Sequence, residues 1–148
     1  MDDLIANYRS ALVWNRPGSP RYWFHYTERT RARAIVASKT FKVGTKHTKG
    51  RAGVYVCPYA PGSRTEEDLA GRILDGSYHE REKLRAVVVL ASGPDITFES
   101  DPDTRDGMRH LADPGSLVEL PNQIVGWAAI VDGQWQHSLT LFDPLALP

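Results

Sequence analysis

Hydrophobic residues occur along this chain in short groups separated by turn residues. Residues 21–26 are rich in aromatic side chains, and residues 87–90 form a continuous apolar run. Aromatic and β-branched residues favour strands, and a short continuous apolar run is typical of a strand buried on both faces. By the same criteria, we expect further short strands at 41–43, 53–57, 96–98, 117–120, 123–131 and 134–142.

Helical spacing of apolar residues is concentrated in the first half of the chain. Residues 2–13 repeat at helical intervals, and a Pro-Gly-Ser-Pro sequence at 17–20 then ends the pattern. We therefore expect residues 1–20 to form a covering helix and a turn. A third helix is expected after Ser63 or Thr65, since either can cap a first turn that carries three acidic residues.

The helix expected at 28–38 is basic on its outer side. Thr27 is a suitable N-cap, and the spacing predicts that Ala34, Ile35 and Ala37 face the core. Residues 99–115 contain several Asp-Pro and Asp-Gly pairs, which predict a long acidic loop.

The Asp132–Gly133 pair predicts a hairpin turn near the end of the chain. Six to eight short strands with two or three helices indicate the α+β class, with a split or two-sheet β core. At 148 residues, the chain fits one domain spanning 1–148. It has no long apolar run and no secretory leader pattern, so we expect a soluble protein without membrane contact.

Positive charge is concentrated although the formal net charge is zero. No acidic residue occurs between Glu28 and Glu66, and that interval holds nine of the eighteen basic residues. The nine are Arg29, Arg31, Arg33, Lys39, Lys42, Lys46, Lys49, Arg51 and Arg64. Such a segment suits an anionic small molecule. It also suits nucleic acid, with nearby tyrosines and Trp23 as stacking groups, so a non-enzymatic nucleic-acid-binding module using residues 29–64 is the rival interpretation.

Two motifs lie at the ends of the expected early strands. His25-Tyr26-Thr27 is followed by the basic helix, and Gly53-Val54-Tyr55 begins a strand that leads into a Pro-Gly turn. A strand-borne His or Tyr alone is more often structural than functional. Together with a late acidic residue at 119, the order of motifs resembles the His-Tyr-Glu class of ADP-ribosyltransferases, and the small bacterial toxin-type members most closely. The resemblance covers about residues 21–130.

The resemblance implies an ADP-ribosyltransferase-like split sheet and NAD as a substrate. It implies that His25 hydrogen-bonds the adenosine-side ribose, that Tyr55 stacks on nicotinamide, and that Glu119 is catalytic. A carboxylate aimed at the anomeric carbon would stabilise the oxocarbenium-like centre that forms when an N-glycosidic bond breaks. The other NAD-binding candidates are Tyr26, Thr27, Lys42 and Arg51. Gln123 or Asp113 is an alternative for the late acidic position, and Tyr59 is a further aromatic candidate.

The implied activity is transfer of ADP-ribose from NAD to a macromolecular acceptor, with release of nicotinamide. NAD hydrolysis is an alternative within the same fold, and nucleic acid is one of the acceptors left open. A toxin-like protein of this kind implies a neutralising antitoxin or immunity partner, and action in the cytoplasm of the producing cell or of a target cell.

Other chemistries have less support in the sequence. No ligand candidates have the close spacing of a zinc site, so no metal is expected. Cys57 is the single cysteine; it could act as a nucleophile with His25, but a small buried residue is the commoner role.

Overall fold

The computed structural model describes residues 22–43, 53–73, 78–93, 96–101, 105–113 and 115–138. Within these ranges the protein is α+β, with two α-helices, one 3-10 helix and nine strands in three antiparallel sheets. The covering helix expected at 1–20, the basic loop at 44–50 and the last residues of the returning strand lie outside the described residues.

The elements follow in chain order. The first half has β1 Tyr22–Thr27, α1 Arg29–Ser38, β2 Thr40–Lys42, β3 Gly53–Val56, α2 Glu66–Ile73 and the 3-10 helix Tyr78–Leu84. The second half has β4 Ala86–Ala91, β5 Glu99–Ser100, β6 Met108–Leu111, β7 Leu117–Glu119, β8 Ile124–Val131 and β9 Gln134–Ser138.

The central sheet has the strand order β1-β4-β8-β9. Strand β4 is buried on both faces, as its apolar run predicts. Val88 and Leu90 pack into the core on one face, and Val87 and Val89 pack into a second core on the other. Burial of each such side chain contributes about 1.5–3 kcal/mol, so β4 is the main hydrophobic element of the fold.

Helix α1 covers one face of the central sheet. Its buried residues are Ala32, Ile35 and Val36, whereas Ala34 and Ala37 are exposed. The prediction was therefore right for Ile35 and wrong for the two alanines. The helix places its i, i+3 and i+4 positions on the sheet, and Val36 is a larger apolar residue than either alanine.

The predicted N-cap residue is confirmed for helix α2 and is wrong for helix α1. Thr27 is buried at the end of β1, and Glu28 is the N-cap of α1 without a side-chain capping bond. Thr27 as the cap was wrong because the strand pairing extends through this residue. For α2, the Thr65 hydroxyl oxygen accepts a hydrogen bond from the amide of Asp68 at 3.1 Å, which confirms the predicted cap.

The segment predicted as a long acidic loop contains two strands. Strands β5 and β6 pair with β3 in a second sheet of order β3-β6-β5, which we call the side sheet. The strand expected at 96–98 was wrong, because those residues are not in a strand and β5 is Glu99–Ser100. Close packing of β3 on β6 requires a glycine: a Cβ on Gly53 would lie 2.3 Å from the carbonyl oxygen of His110. The turn residues that suggested a loop flank these strands.

The remaining pairs complete the fold. Strands β2 and β7 form a two-stranded ladder, and β8 and β9 form the predicted hairpin. Asp132 and Gly133 have positive φ angles of 53° and 78°, as expected for a type I′ turn. Among the described helices, none is long and apolar enough to cross a membrane.

Candidate functional site

Strand β1 is bridged at a single residue pair to Cys57, the residue that directly follows β3. The amide of Phe24 donates to the carbonyl of Cys57 at 2.9 Å, and the amide of Cys57 donates to the carbonyl of Phe24 at 2.9 Å. No further ladder pair joins these strands among the described residues. The pairing between the central and side sheets ends at this point, and we call the unpaired region between β1 and β3, beside Tyr26 and Tyr55, the gap.

Backbone groups of Tyr26 face the gap. In a strand, alternate residues direct their amide and carbonyl groups to the same side, and those of Phe24 point toward β3. The amide and carbonyl of Tyr26 therefore point toward β3 as well, but Tyr26 and Tyr55 form no bridge. The side chain of Tyr26 is used elsewhere, since its hydroxyl donates to the carbonyl of Tyr59 at 2.8 Å.

His25 reaches across from β1 to β3. Its Nδ1 lies 2.5 Å from the carbonyl oxygen of Tyr55, and its ring meets Phe41 edge-on with centroids 5.0 Å apart. A carbonyl oxygen can only accept, so Nδ1 carries the proton when the ring is neutral and Nε2 is a bare acceptor. The side chain thus replaces the ladder bond that β1 and β3 do not form here.

The surroundings keep His25 neutral. Burial lowers the pKa of its imidazole from 6.5 to about 4; the Tyr55 carbonyl opposes this shift, and the positive charge of Arg31 reinforces it. At neutral pH the ring therefore presents Nε2 as a hydrogen-bond acceptor for a hydroxyl group.

The phenol of Tyr55 lies against a buried ion pair. Arg109 Nη1 is 2.9 Å from Asp101 Oδ1, and these side chains are 8% and 1% exposed. Arg109 stands opposite Tyr55 in the β3–β6 register, which brings the phenol beside the Asp101–Arg109 pair. Burial and the charge of Asp101 raise the pKa of Tyr55, so the phenol stays protonated at neutral pH.

A second tyrosine has a similar pair of neighbours. Arg72 bonds Asp106 at 2.6 Å and Asp68 at 3.1 Å, and its Nη1 lies 3.4 Å from the Tyr59 hydroxyl. The guanidinium of Arg64 stacks on the Tyr59 ring at 4.4 Å. This network is more exposed than the Asp101–Arg109 pair, with Arg72 and Asp106 at 20% and 31%.

Glu119 is at the end of β7, opposite Thr40 of β2. The neighbouring pair, Phe41 and Val118, packs into the core, and Phe41 contacts His25. Because side chains alternate along a strand, the Glu119 carboxylate is on the other face of this ladder, where it is exposed. The structure brings together His25 and the backbone of Tyr55, whereas Glu119 lies on the exposed face of the β2–β7 ladder.

The other predicted site residues differ in their exposure to solvent. Thr27 is buried at the end of β1, and Lys42 is exposed on β2 beside Phe41. Gln123 is buried before β8, and Asp113 is exposed where its carbonyl accepts from Ser116. Arg51, Lys46 and Lys49 lie outside the described residues.

The described residues bear on two alternative chemistries, a cysteine nucleophile and a metal site. Cys57 is 1% exposed, and burial raises the pKa of its thiol to about 12, so the structural interpretation of this cysteine is favoured over the nucleophilic one. Within the described ranges, no group of three metal-ligating side chains occurs.

Sequence analysis missed Asp101 and Arg109 as neighbours of Tyr55. Both were within a segment that was expected to be a loop. Residues 108–111 are Met-Arg-His-Leu, which do not alternate between apolar and polar side chains, so no local pattern would have placed Arg109 on a strand beside Tyr55.

No protein-family model, no curated protein and no solved structure matches this chain significantly.

Proposed function

We propose that this protein is an NAD-dependent mono-ADP-ribosyltransferase of toxin-like type, with an ADP-ribosyltransferase-like split sheet and with NAD bound at the gap. The observation that carries this proposal is the pair of backbone groups of Tyr26, which face the gap beside a neutral His25. A strand N–H and a C=O that face the same side are complementary to a carboxamide, and nicotinamide carries one.

The acceptor nitrogen of His25 supports the same assignment. Nε2 is available because Nδ1 is occupied by the Tyr55 carbonyl. A bare imidazole nitrogen accepts a hydrogen bond from a ribose hydroxyl. A carboxamide on Tyr26 and a ribose on His25 would place two parts of one dinucleotide on consecutive residues of β1.

Cations near the gap suit the pyrophosphate. Arg31 of α1 is close enough to His25 for its charge to lower the pKa of that ring. Lys42 is exposed beside Phe41, whose ring contacts His25. Guanidinium and ammonium groups form charge-assisted hydrogen bonds with phosphate oxygens.

The reaction breaks the bond between the anomeric carbon of the nicotinamide ribose and the nicotinamide nitrogen. The electron pair leaves with neutral nicotinamide, and an acceptor nucleophile bonds to the anomeric carbon and loses its proton. We assign Glu119 to stabilise the positive charge that develops there. This role requires its exposed side chain to turn toward the bound ribose, because it is on the outer face of the β2–β7 ladder.

Nicotinamide release from NAD tests the proposal. With cell lysate as the source of acceptors, we expect the wild-type protein to release nicotinamide and label a macromolecule. Glu119→Gln should lower the rate by about 100-fold, as loss of a charge-stabilising group does. Glu99→Gln is the matched control, since Glu99 is also an exposed strand glutamate, and should leave the rate unchanged.

Other outcomes separate the alternatives. Free ADP-ribose without a labelled acceptor would indicate NAD hydrolysis by the same site. Salt-sensitive retention on nucleic acid with no NAD turnover would support the binding module and contradict the enzyme. Equal loss of rate in Glu99→Gln and Glu119→Gln would remove the assigned role of Glu119.

A further inference from the structure

The two Arg–Asp pairs beside Tyr55 and Tyr59 differ in what they can contribute. The Arg72–Asp106 pair is partly exposed, and the amides of Arg105 and Asp106 also donate to the carbonyl of Arg72. It therefore fastens the segment before β6 to the end of α2. The Asp101–Arg109 pair is almost fully buried within the side sheet.

Burial makes the Asp101–Arg109 pair a poor source of stability. Desolvation of two charges offsets most of their attraction unless every donor is satisfied, and apolar residues of similar size often stabilise as well. Here Arg109 Nε is buried without a hydrogen-bond partner among the described atoms. The pair is therefore better explained by the group that it holds in place than by net stabilisation.

That group is Tyr55, which is held at both ends. Its phenol lies beside the Asp101–Arg109 pair, because Arg109 is its register partner on β6, and its carbonyl accepts from His25. A protonated phenol can donate to the carboxylate while it accepts from the guanidinium, so all three groups have matching roles. The direction of the Tyr55 ring is thus fixed by charges that lie on β6 and just after β5.

We propose that Asp101 and Arg109 are positioning residues of the nicotinamide site, and that they act by fixing the ring of Tyr55 through its hydroxyl. This inference rests on the proposed function and extends it to two residues that do not touch the substrate. A ring that is already oriented stacks on nicotinamide without first losing rotational freedom.

The test measures KM and kcat for nicotinamide release from NAD in the wild type and four variants. Tyr55→Phe keeps the ring and removes the hydroxyl. Tyr59→Phe is the matched control, because Tyr59 also meets an Arg–Asp pair. The double variant Asp101→Leu with Arg109→Met removes both buried charges together, which avoids an unpaired charge. The triple variant adds Tyr55→Phe to that double variant.

We expect Tyr55→Phe to raise KM about fivefold, the effect of one lost hydrogen bond, with kcat within about twofold. The double variant should show the same rise, and the triple variant no further rise, because all act on one ring. Tyr59→Phe should leave KM unchanged. Thermal unfolding of each variant checks that it is folded under the assay conditions.

Three results would overturn the inference. A KM for Tyr55→Phe equal to that of Tyr59→Phe would show that the hydroxyl does not position the ring. Additive rises in the triple variant would show that the ion pair acts by another route. If the wild type releases no nicotinamide, both the proposed function and the inference are contradicted. If the wild type releases nicotinamide but the variants have an unchanged KM, only the inference is contradicted.

Discussion

The strongest physical prediction concerns the acid sensitivity that the neutral His25 imposes on the fold. Burial lowers its pKa from 6.5 to about 4, so the unfolded chain binds a proton at a pH where the folded protein does not. Stability must therefore fall as the pH decreases from about 6.5 toward 4, and the contribution is constant on either side of that window.

The size of the effect follows from the two pKa values. Relative to the plateau at high pH, the loss of unfolding free energy from His25 alone is about 0.8 kcal/mol at pH 6, about 2 kcal/mol at pH 5 and about 3 kcal/mol at pH 4. The loss is large compared with the total stability of a domain, which is about 5–15 kcal/mol.

The matched variant is His25→Asn, whose amide can still donate to the Tyr55 carbonyl but does not titrate. Urea unfolding at pH 7.5, 6, 5 and 4.5 gives the free energy of unfolding for both proteins. We expect the difference between wild type and variant to change by about 2 kcal/mol or more in favour of the variant at the acid end. A difference that stays constant over this range would refute the neutral state of His25.

Three further predictions test other parts of the structure. Gly53→Ala should separate β3 from β6 and lower the stability of the fold, which a decrease in the unfolding temperature would show. Gly71→Ala is the control, because an added Cβ there meets nothing within 4 Å, and it should raise stability by about 0.5–1 kcal/mol. Equal effects of the two substitutions would contradict the close approach of β3 to β6. The Arg72 guanidinium lowers the pKa of Asp106, so the stability from this pair is present above pH 3.8 and is lost as the pH falls further. Asp106→Asn should therefore show a smaller loss of unfolding free energy between pH 4 and 2 than the wild type, and an unchanged loss would argue against the pair. Cys57 should react with a thiol reagent at pH 8 at least about 100-fold more slowly in the folded than in the unfolded protein, and rapid labelling of the folded protein would contradict its burial.

Local signals predicted the parts of the fold that depend on neighbouring residues. The apolar run of β4, the aromatic residues of β1 and the Asp132–Gly133 turn each determine a backbone conformation over a few positions. The local pattern did not determine which face α1 buries, because alanines occur on both sides of that helix. Packing against the sheet buries Val36 instead of Ala34 and Ala37.

Contacts between distant residues were not predictable in the same way. Asp101 and Arg109 become neighbours only when β5 pairs with β6, and both residue types are normally exposed. The bond from His25 to the Tyr55 carbonyl spans thirty positions and depends on where β1 and β3 separate. The sequence motifs indicated His25 and Tyr55 as candidate site residues. They did not indicate that the His25 side chain would contact the backbone of Tyr55.

The central claim is that NAD binds at the gap, with its carboxamide on the backbone of Tyr26. Titration of NAD into ¹⁵N-labelled protein, followed by NMR of the backbone amides, tests this claim most directly. We predict that the Tyr26 amide resonance shifts in a saturable manner and that its exchange with solvent slows, with nicotinamide alone reproducing both effects. An unperturbed Tyr26 amide at NAD concentrations that saturate other resonances, or no response anywhere, would contradict it.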